Sequence, residues 1–479
     1  MKMFRIGILL VWAMAFVACQ EGNEQPNIVV ILCDDLGYGD LSSYGHPVIQ
    51  TPNLDQLAEE GMKFTSFYSA APVCSPSRAG LLTGRSPNRA GIYDFIPGPK
   101  KTENLRYMVH LQAHEETIPA RLKSVGYATC LSGKWHCSSY FNQPEKQPTP
   151  DHFGFDHWFA THNNAAPSHE NPKNFVRNGE DVGEIEGYSC QIVVDEALSW
   201  LQQQKKEQPF YLQVTFHEPH EPVASPQDLV DKYRPQASTL EEAEYFANVE
   251  NVDLAVGRLV DYLKAQHGGN TLIVFTSDNG PETLMRYHRA KRSYGSPGDL
   301  RGMKLWTYEA GFRVPGIISW LGKSLPKGTS EAVVSSLDFM PTFCELAGAE
   351  LPSRTLDGES IVPLLEAKDY NREKPLVWAF YNALNEHRVA MRDGDWKILA
   401  RLKTDTSYLQ RYTNVYPGNI NTIKEADLVD FELYKLTADI SESENLANKN
   451  PEKLTAMKQL LISEYDALLA GSHVWTENE

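Results

Sequence analysis

Four apolar runs in this chain each stop abruptly at residues that do chemistry, and helical segments lie between them. Asn27 to Cys33 ends at Asp34-Asp35, and Tyr127 to Ser132 leads into Gly133-Lys134-Trp135-His136. Phe210 to Phe216 delivers His217-Glu-Pro-His220-Glu-Pro222, and Thr271 to Thr276 delivers Ser277-Asp278-Asn279-Gly280. Continuous apolar runs of this length fit strands buried on both faces, the habit of a parallel sheet covered by helices. The segments between carry helix punctuation. Thr51-Pro52 opens one helix that Gly61 closes, and Thr117-Ile-Pro119 opens another that ends at Gly126. Ser238 to Gln266 is a long amphipathic helix, with Ser238 and Glu241 placed for a capping box. The pattern predicts an α/β fold with a large, mostly parallel sheet sandwiched by helices. In such sheets ligands bind beyond the carboxyl ends of the strands. Four chemically loaded strand ends therefore predict one site.

From about residue 370 the texture changes. Leu376–Tyr381, Arg388–Arg392 and Trp396–Arg401 are strand-like, with Asp393-Gly394-Asp395 as a hairpin turn. Glu432-Leu-Tyr-Lys-Leu follows, then a helix from about Pro451 to Leu469. The expected division is a catalytic domain over 27–369 and a smaller C-terminal antiparallel sheet plus helix over 370–479. A formal net charge of −17 argues against nucleic acid as a partner, because phosphate binding needs a basic face.

Lys2 and Arg5 precede an apolar run, Ile6 to Val17, of signal-peptide length and too short to span a bilayer. The run ends in Ala18-Cys19, which resembles a bacterial lipobox. Residues 1–18 are thus expected to be a signal peptide, Cys19 a lipidation site, and 19–26 a tether. The expected location is the periplasm or outer membrane of a Gram-negative bacterium, with membrane contact only through that lipid. A soluble secreted protein cut near Ala18 is the alternative. The remaining cysteines show no disulfide framework, and Cys33 and Cys130 fall in apolar runs expected to bury them.

Asp34, Asp35, Asp278 and Asn279 offer only oxygen ligands, which suit a hard cation, Ca²⁺ or Mg²⁺. In Cys74-Ser-Pro-Ser77-Arg78-Ala-Gly-Leu-Leu-Thr-Gly84-Arg85, Pro76 suits a first helical turn and Gly84 a helix end. Cys74 therefore stands at a helix N-terminus, with Arg78 one turn on, able to clamp negative oxygens. From the residues alone Cys74 is a thiolate nucleophile candidate.

The stretch Cys74-x-Pro76-Ser77-Arg78, followed by Leu81, Thr83, Gly84 and Arg85, resembles the signature of the formylglycine-dependent (type I) sulfatases, of the arylsulfatase and N-acetylgalactosamine-sulfatase type. Asp34-Asp35-Leu-Gly-Tyr-Gly-Asp40, Gly133–His136, Pro219–Pro222, Ser277–Gly280 and Leu300–Lys304 each resemble a further family block. Glu309-Ala310-Gly311 departs from the pattern, with Ala310 where glycine is usual. The resemblance implies an alkaline-phosphatase-like fold and hydrolysis of sulfate esters. It implies that a separate maturation enzyme oxidises Cys74 to formylglycine. It also implies that Asp34, Asp35, Asp278, Asn279 and the oxidised Cys74 bind one cation, usually Ca²⁺. The implied roles make the formylglycine hydrate, activated by the metal and Arg78, attack sulfur. Lys134 and Lys304 hold the sulfate, His220 protonates the leaving oxygen, and His136 deprotonates the second hydroxyl to expel sulfate.

The expected substrate is a sulfated glycan of glycosaminoglycan or mucin type, bearing sulfate on galactose, N-acetylgalactosamine or N-acetylglucosamine. Trp158, His162, Asn163, Asn164 and His169, and the stretch 382–388, are candidate sugar contacts. His217 either serves the pocket or shapes its loop. His288 and Arg289 belong to a basic run that either grips an anionic polymer or is a solvated loop. Two other readings stand beside this one. One is phosphate or phosphonate ester hydrolysis on the same fold; the other is a non-catalytic binder of sulfated glycans.

Overall fold

The computed structural model describes residues 25–99, 106, 108–283 and 291–476. The large sheet is built from β1 (Asn27–Asp34), β2 (Met62–Tyr68), β3 (Ala128–Lys134), β4 (His157–Thr161), β5 (Phe175–Arg177), β6 (Glu180–Gly183), β7 (Phe210–Pro219), β8 (Thr271–Ser277), β9 (Arg313–Leu321), β10 (Gly328–Ser330) and β11 (Val334–Ser335). Its order is β10-β2-β9-β8-β1-β7-β3-β4-β5-β6, with β11 also on β2. The central strands β8, β1, β7, β3 and β4 run parallel, and β1, β3, β7 and β8 are almost wholly buried. Helices cover both faces, and two apolar clusters fill the layers above and below the sheet.

Three differences from the sequence reading have local causes. The two runs expected to end at Ser132 and Phe216 continue as strand to Lys134 and Pro219. Ladder bonds to neighbours hold polar residues that composition alone assigns to a loop. Strand β9 runs antiparallel between β8 and β2 and escaped the reading, because Pro315 and Gly316 break its pattern. Gly316 is needed there, since a Cβ would lie 2.4 Å from the Phe67 ring. The long helix, Leu240–His267, is capped by Thr239, whose side chain accepts from Glu242 N, one residue later than expected.

The small sheet consists of β12 (Leu376–Ala379), β13 (Val389–Asp393), β14 (Trp396–Lys403) and β15 (Asp427–Lys435), all antiparallel, followed by the helix Pro451–Gly471. Trp378 stacks on Phe312 at 4.0 Å between ring centroids and donates to Ser69 O, joining the small sheet to the large domain. Beside it Lys397 Nζ lies 2.9 Å from Glu309 and 2.8 Å from Glu442. Burial resists ionisation of both acids. Lys397, Arg313 and Arg392 nonetheless hold Glu309 at about 2, whereas burial and Glu309 push Glu442 up to about 7. A carboxyl whose folded value is raised stabilises most below its ordinary value and loses that contribution as pH rises through the folded one. Relative to Glu442→Gln, the wild-type melting temperature should therefore fall by a few degrees between about pH 4.5 and pH 7. Parallel melts across that range check this, and a constant difference would refute it.

Among the described residues no helix is long and apolar enough to cross a membrane. The expected signal peptide, the expected lipidation site Cys19 and the expected tether as far as residue 24 lie outside the described residues, as do His288 and Arg289. The six described cysteines are free and buried.

Candidate active site

The strand order β8-β1-β7-β3 places the four predicted strand ends side by side. Strand β1 pairs with β8 so that Cys33 lies opposite Ser277, and Asp278 N donates to Cys33 O at 3.0 Å. The chain turns sharply after β1, with Asp35 at φ +65, a conformation few non-glycine residues hold without tertiary support. One ligand oxygen from each of Asp34, Asp35 and Asp278 lies within 4.8 Å of the others, all buried. Asn279 Nδ2 donates to Asp35 Oδ1 at 2.7 Å, which leaves Asn279 Oδ1 buried with no donor. Asp34 Oδ1 is likewise buried and without a hydrogen-bond partner. Buried polar atoms are normally satisfied, so two unpaired oxygens in an all-oxygen cluster fit a hard divalent cation.

Three cationic side chains converge on the same carboxylates. Arg78 Nε and Nη2 each lie 2.8 Å from Asp278 Oδ2, and Nη1 donates to Lys134 O at 3.0 Å. Lys134 Nζ pairs with Asp34, and Lys304 Nζ reaches Asp35 Oδ2 at 2.6 Å. Burial pushes Asp278 up to about 7, with the charge of Asp34 adding to it. Burial would raise Asp34 too, but Lys134, His220 and Arg78 hold it well below the carboxylate range. Lys134 depends on its neighbour. Gly133 sits at φ +114, and a Cβ there would lie 1.8 Å from Thr215 O. Gly133→Ala should therefore displace Lys134 and cost several kcal/mol. Thermal melting and activity of that variant check it, and a wild-type melt with wild-type activity would contradict it.

Cys74 is the first residue of the helix Cys74–Thr83, as predicted, with Val73 as N-cap and Gly84 as the left-handed C-cap. Its surroundings are Val73, Leu305, Phe380 and Ala383, with 3% of its surface exposed. Burial pushes the thiol up to about 11, against the lowering pull of Lys134 and Lys304. The thiolate expectation fails on this balance, in which burial favours the protonated sulfur. The field of Asp34, Asp278 and the two lysines still reaches Cys74, so it borders the carboxylate cluster.

Two histidines flank the cluster with defined tautomers. His136, at φ +55, has Nε2 2.9 Å from Ile96 O, so Nε2 carries the hydrogen and the buried Nδ1 is bare and unpaired. His220 Nδ1 donates to Glu221 O at 2.6 Å, which turns Nε2 towards Asp35 Oδ2 at 3.6 Å. Burial, then Lys304, lowers His220 to about 4. His162 sits beside His136, 5.4 Å between ring centroids, and donates to Pro97 O. Asn163 is half-buried next to it.

Other candidates belong to the scaffold. His217 is fully buried and donates through Nε2 to Thr161 Oγ1, whose own hydrogen goes to Asn163 O; it shapes the loop. Trp158 is core, against Phe141, because it lies in β4 rather than in a loop. His169 is fully buried. Asn382 of the small domain donates to Asp94, and Asn385 holds Thr307. The carbonyls of Ile96 and Pro97, which set the tautomers of His136 and His162, escaped the sequence reading, since a backbone acceptor has no residue signature.

A family model described as Sulfatase matches residues 26–349, and one described as N-sulphoglucosamine sulphohydrolase, C-terminal, matches 302–466. Arylsulfatase A of Bos taurus is 34% identical over 95% of this chain and 91% of its own length. N-acetylgalactosamine-6-sulfatase of Sus scrofa is 35% identical over 79% of this chain and 73% of its own. The crystal structure of Ps i-CgsB in complex with k-i-k-neocarrahexaose superposes with a TM-score of 0.74 at 27% identity, covering 94% of each chain.

Proposed function

The chain belongs to the sulfatase family and is a sulfuric ester hydrolase, and we propose that it removes sulfate from a sulfated glycan using formylglycine at position 74 and one divalent cation. The observation that carries this reading is the convergence of Cys74, three carboxylates and three buried cationic side chains at one sheet edge. Asp34, Asp35, Asp278 and Asn279 would hold the cation, Ca²⁺ or Mg²⁺. It would supply Lewis acidity beside residue 74, where formylglycine would supply a hydrated aldehyde as nucleophile.

The chain's own groups do the rest. Lys134 and Lys304 bring two ammonium groups to the sulfate oxygens in a site sheltered from water, where such charges act strongly. Arg78, held to Asp278 and the Lys134 carbonyl, fixes positive charge next to residue 74. His220 gives a proton to the departing sugar oxygen from Nε2, the nitrogen that Glu221 O leaves facing the site. Burial lowers the free His220 to about 4, so it would take that proton from solvent as substrate binds, the sulfate's negative charge favouring the imidazolium. His136 accepts a proton on its bare Nδ1 while Ile96 O keeps Nε2–H in place.

The glycan reading draws on relatives named for N-acetylgalactosamine 6-sulfate and on a neighbour holding a carrahexaose. We propose galactose-, N-acetylgalactosamine- or N-acetylglucosamine-sulfate in a glycosaminoglycan or mucin as the target, with His162 and Asn163 as sugar contacts. The apolar segment before Cys19 supports export as a lipid-anchored protein of the Gram-negative periplasm or outer membrane, matured by a formylglycine-generating partner. A catalytic domain over 27–369 with a C-terminal subdomain from 370 belongs to the same proposal. Matched aryl sulfate and aryl phosphate esters test the chemistry. Sulfate should be cleaved faster by roughly 10²-fold or more in kcat/KM; a preference for phosphate would overturn the reading.

A further inference from the structure

Away from the catalytic cluster, a cavity of about 600 Å³ opens between the edge of the large sheet and the β13–β14 turn of the small one. That volume lies within the roughly 300–1,000 Å³ that small-molecule sites occupy. None of the catalytic candidates lines it. Arg313, Arg372 and Arg392 do, each with its guanidinium drawn into the wall.

These arginines are not spent equally on the fold. Arg313 gives Nε to Thr65 O and Nη1 to Glu309. Arg392 donates to Gly394 O, Ser66 Oγ and Tyr68 Oη, all of them neutral groups. Arg372 pairs Nη1 with Asp338 at 2.7 Å and gives Nε to Lys374 O at 2.8 Å. Its Nη2 is buried with no hydrogen-bond partner, although only 7% of the side chain is exposed. That nitrogen is closed off from the cavity as well as from partners, so the wall offers the shared positive charge of three guanidinium groups rather than one free donor. The carboxylates that share the lining, Glu331 and Asp395, are exposed at the rim, so the interior is the positive part. Tyr38 and Tyr370 add ring edges and Thr437 a hydroxyl of the kind that meet a polyhydroxylated body, while the two phenol hydroxyls donate to Thr65 O and Glu359. In a chain of net charge −17, an arginine-walled cavity of this size selects an anion.

We infer that this cavity is a second, non-catalytic binding site for an acidic saccharide unit, its sulfate or carboxylate group seated among the guanidinium groups of Arg313, Arg372 and Arg392. The choice of a saccharide as carrier of the anion rests on the sulfatase reading; the anion site does not. The cavity also touches the catalytic turn. Tyr38 lies three residues after Asp35, and its hydroxyl donates to Thr65 O, the acceptor that Arg313 Nε also uses.

Calorimetric titration of the full chain with galactose 6-sulfate, galactose and sodium sulfate tests the inference. Galactose 6-sulfate should show two sites on Cys74→Ala, which cannot turn it over, and adding Lys304→Ala, which weakens anion binding at the catalytic cluster, should leave the second. Arg372→Gln should weaken that second site at least tenfold. If Arg372→Gln melts far below wild type, Ala438→Trp, on the exposed rim, carries the test by blocking the mouth, with the same loss expected. Galactose should not bind there, and sodium sulfate should bind more weakly than the sulfated sugar. No second site once Lys304→Ala is added to Cys74→Ala, or one untouched by Ala438→Trp, would overturn the inference. Equal affinity for sulfate and galactose 6-sulfate would overturn its saccharide half. Failure of the sulfatase reading would show separately, as a lack of ester hydrolysis with these binding results unchanged.

Discussion

Cys74→Ala should lower sulfate-ester hydrolysis by roughly 10⁴-fold or more while the protein still melts within a few degrees of wild type. The two effects separate because the side chain is small and its neighbours are apolar. Deleting a buried sulfur beside Val73, Leu305, Phe380 and Ala383 costs about 1 kcal/mol. The same deletion removes the thiol whose oxidation and loss would leave the aldehyde on Cβ, so no formylglycine can form at that position. Cys74→Ser sharpens the test in a host whose maturation enzyme accepts only cysteine. Serine keeps a hydroxyl at the helix N-terminus but yields no aldehyde, so it should be as inactive as alanine. Its surroundings argue against a plain thiol as the nucleophile, since burial pushes it up to about 11. Peptide mass spectrometry of active enzyme should therefore find residue 74 oxidised. Turnover by Cys74→Ala above about a hundredth of wild type, or active enzyme with an unmodified thiol, would defeat the mechanism.

The site was legible in the sequence where chemistry begins at the point an apolar run stops. Asp34, Asp278 and Lys134 all stand at such ends, and strand pairing brings them together. What the runs do not encode is their order across the sheet. Nothing local in residues 27–33 tells that β7 lies on one side and β8 on the other. His217 and His220 show a finer limit. Both follow the same strand core, yet one is fully buried against Thr161 and the other faces Asp35, because the pleat and a register shift near Asp34 decide which way each points. Trp158 failed for the related reason that an aromatic near polar residues reads as a loop when no partner strand is in view. The thiolate reading of Cys74 failed on magnitude. A helix N-terminus is worth about 1 kcal/mol, and desolvation of a buried thiolate outweighs it. Ala310 marks a departure that the fold absorbs. Its carbonyl is what approaches Gly280, where a Cβ would lie 1.6 Å away, so the glycine that cannot change is on the other partner.

Removing divalent cations should cost at least 10³-fold in activity and lower the melting temperature by several degrees, with both restored by Ca²⁺. Three aspartates whose oxygens lie within 4.8 Å of one another repel, and the charge of Asp34 adds to the burial that pushes Asp278 up to about 7. The loss should stop short of unfolding, because Arg78, Lys134 and Lys304 each face one of these carboxylates and balance their formal charge. That balance also predicts what a ligand variant does. Asn279→Ala removes an uncharged oxygen that is buried without a donor, together with the Nδ2 hydrogen bonds to Asp35 Oδ1 and Gly280 O, leaving every ion pair in place. It should melt a few degrees below wild type after chelation and need at least tenfold more Ca²⁺ for half-maximal activity and for the same rise in melting temperature. Titrating Ca²⁺ against both readouts, on wild type and Asn279→Ala, decides the matter. Two coincident curves, or activity and melting unmoved by a chelator, would mean that the oxygens of Asp34, Asp35, Asp278 and Asn279 serve only to hold the lysines and Arg78.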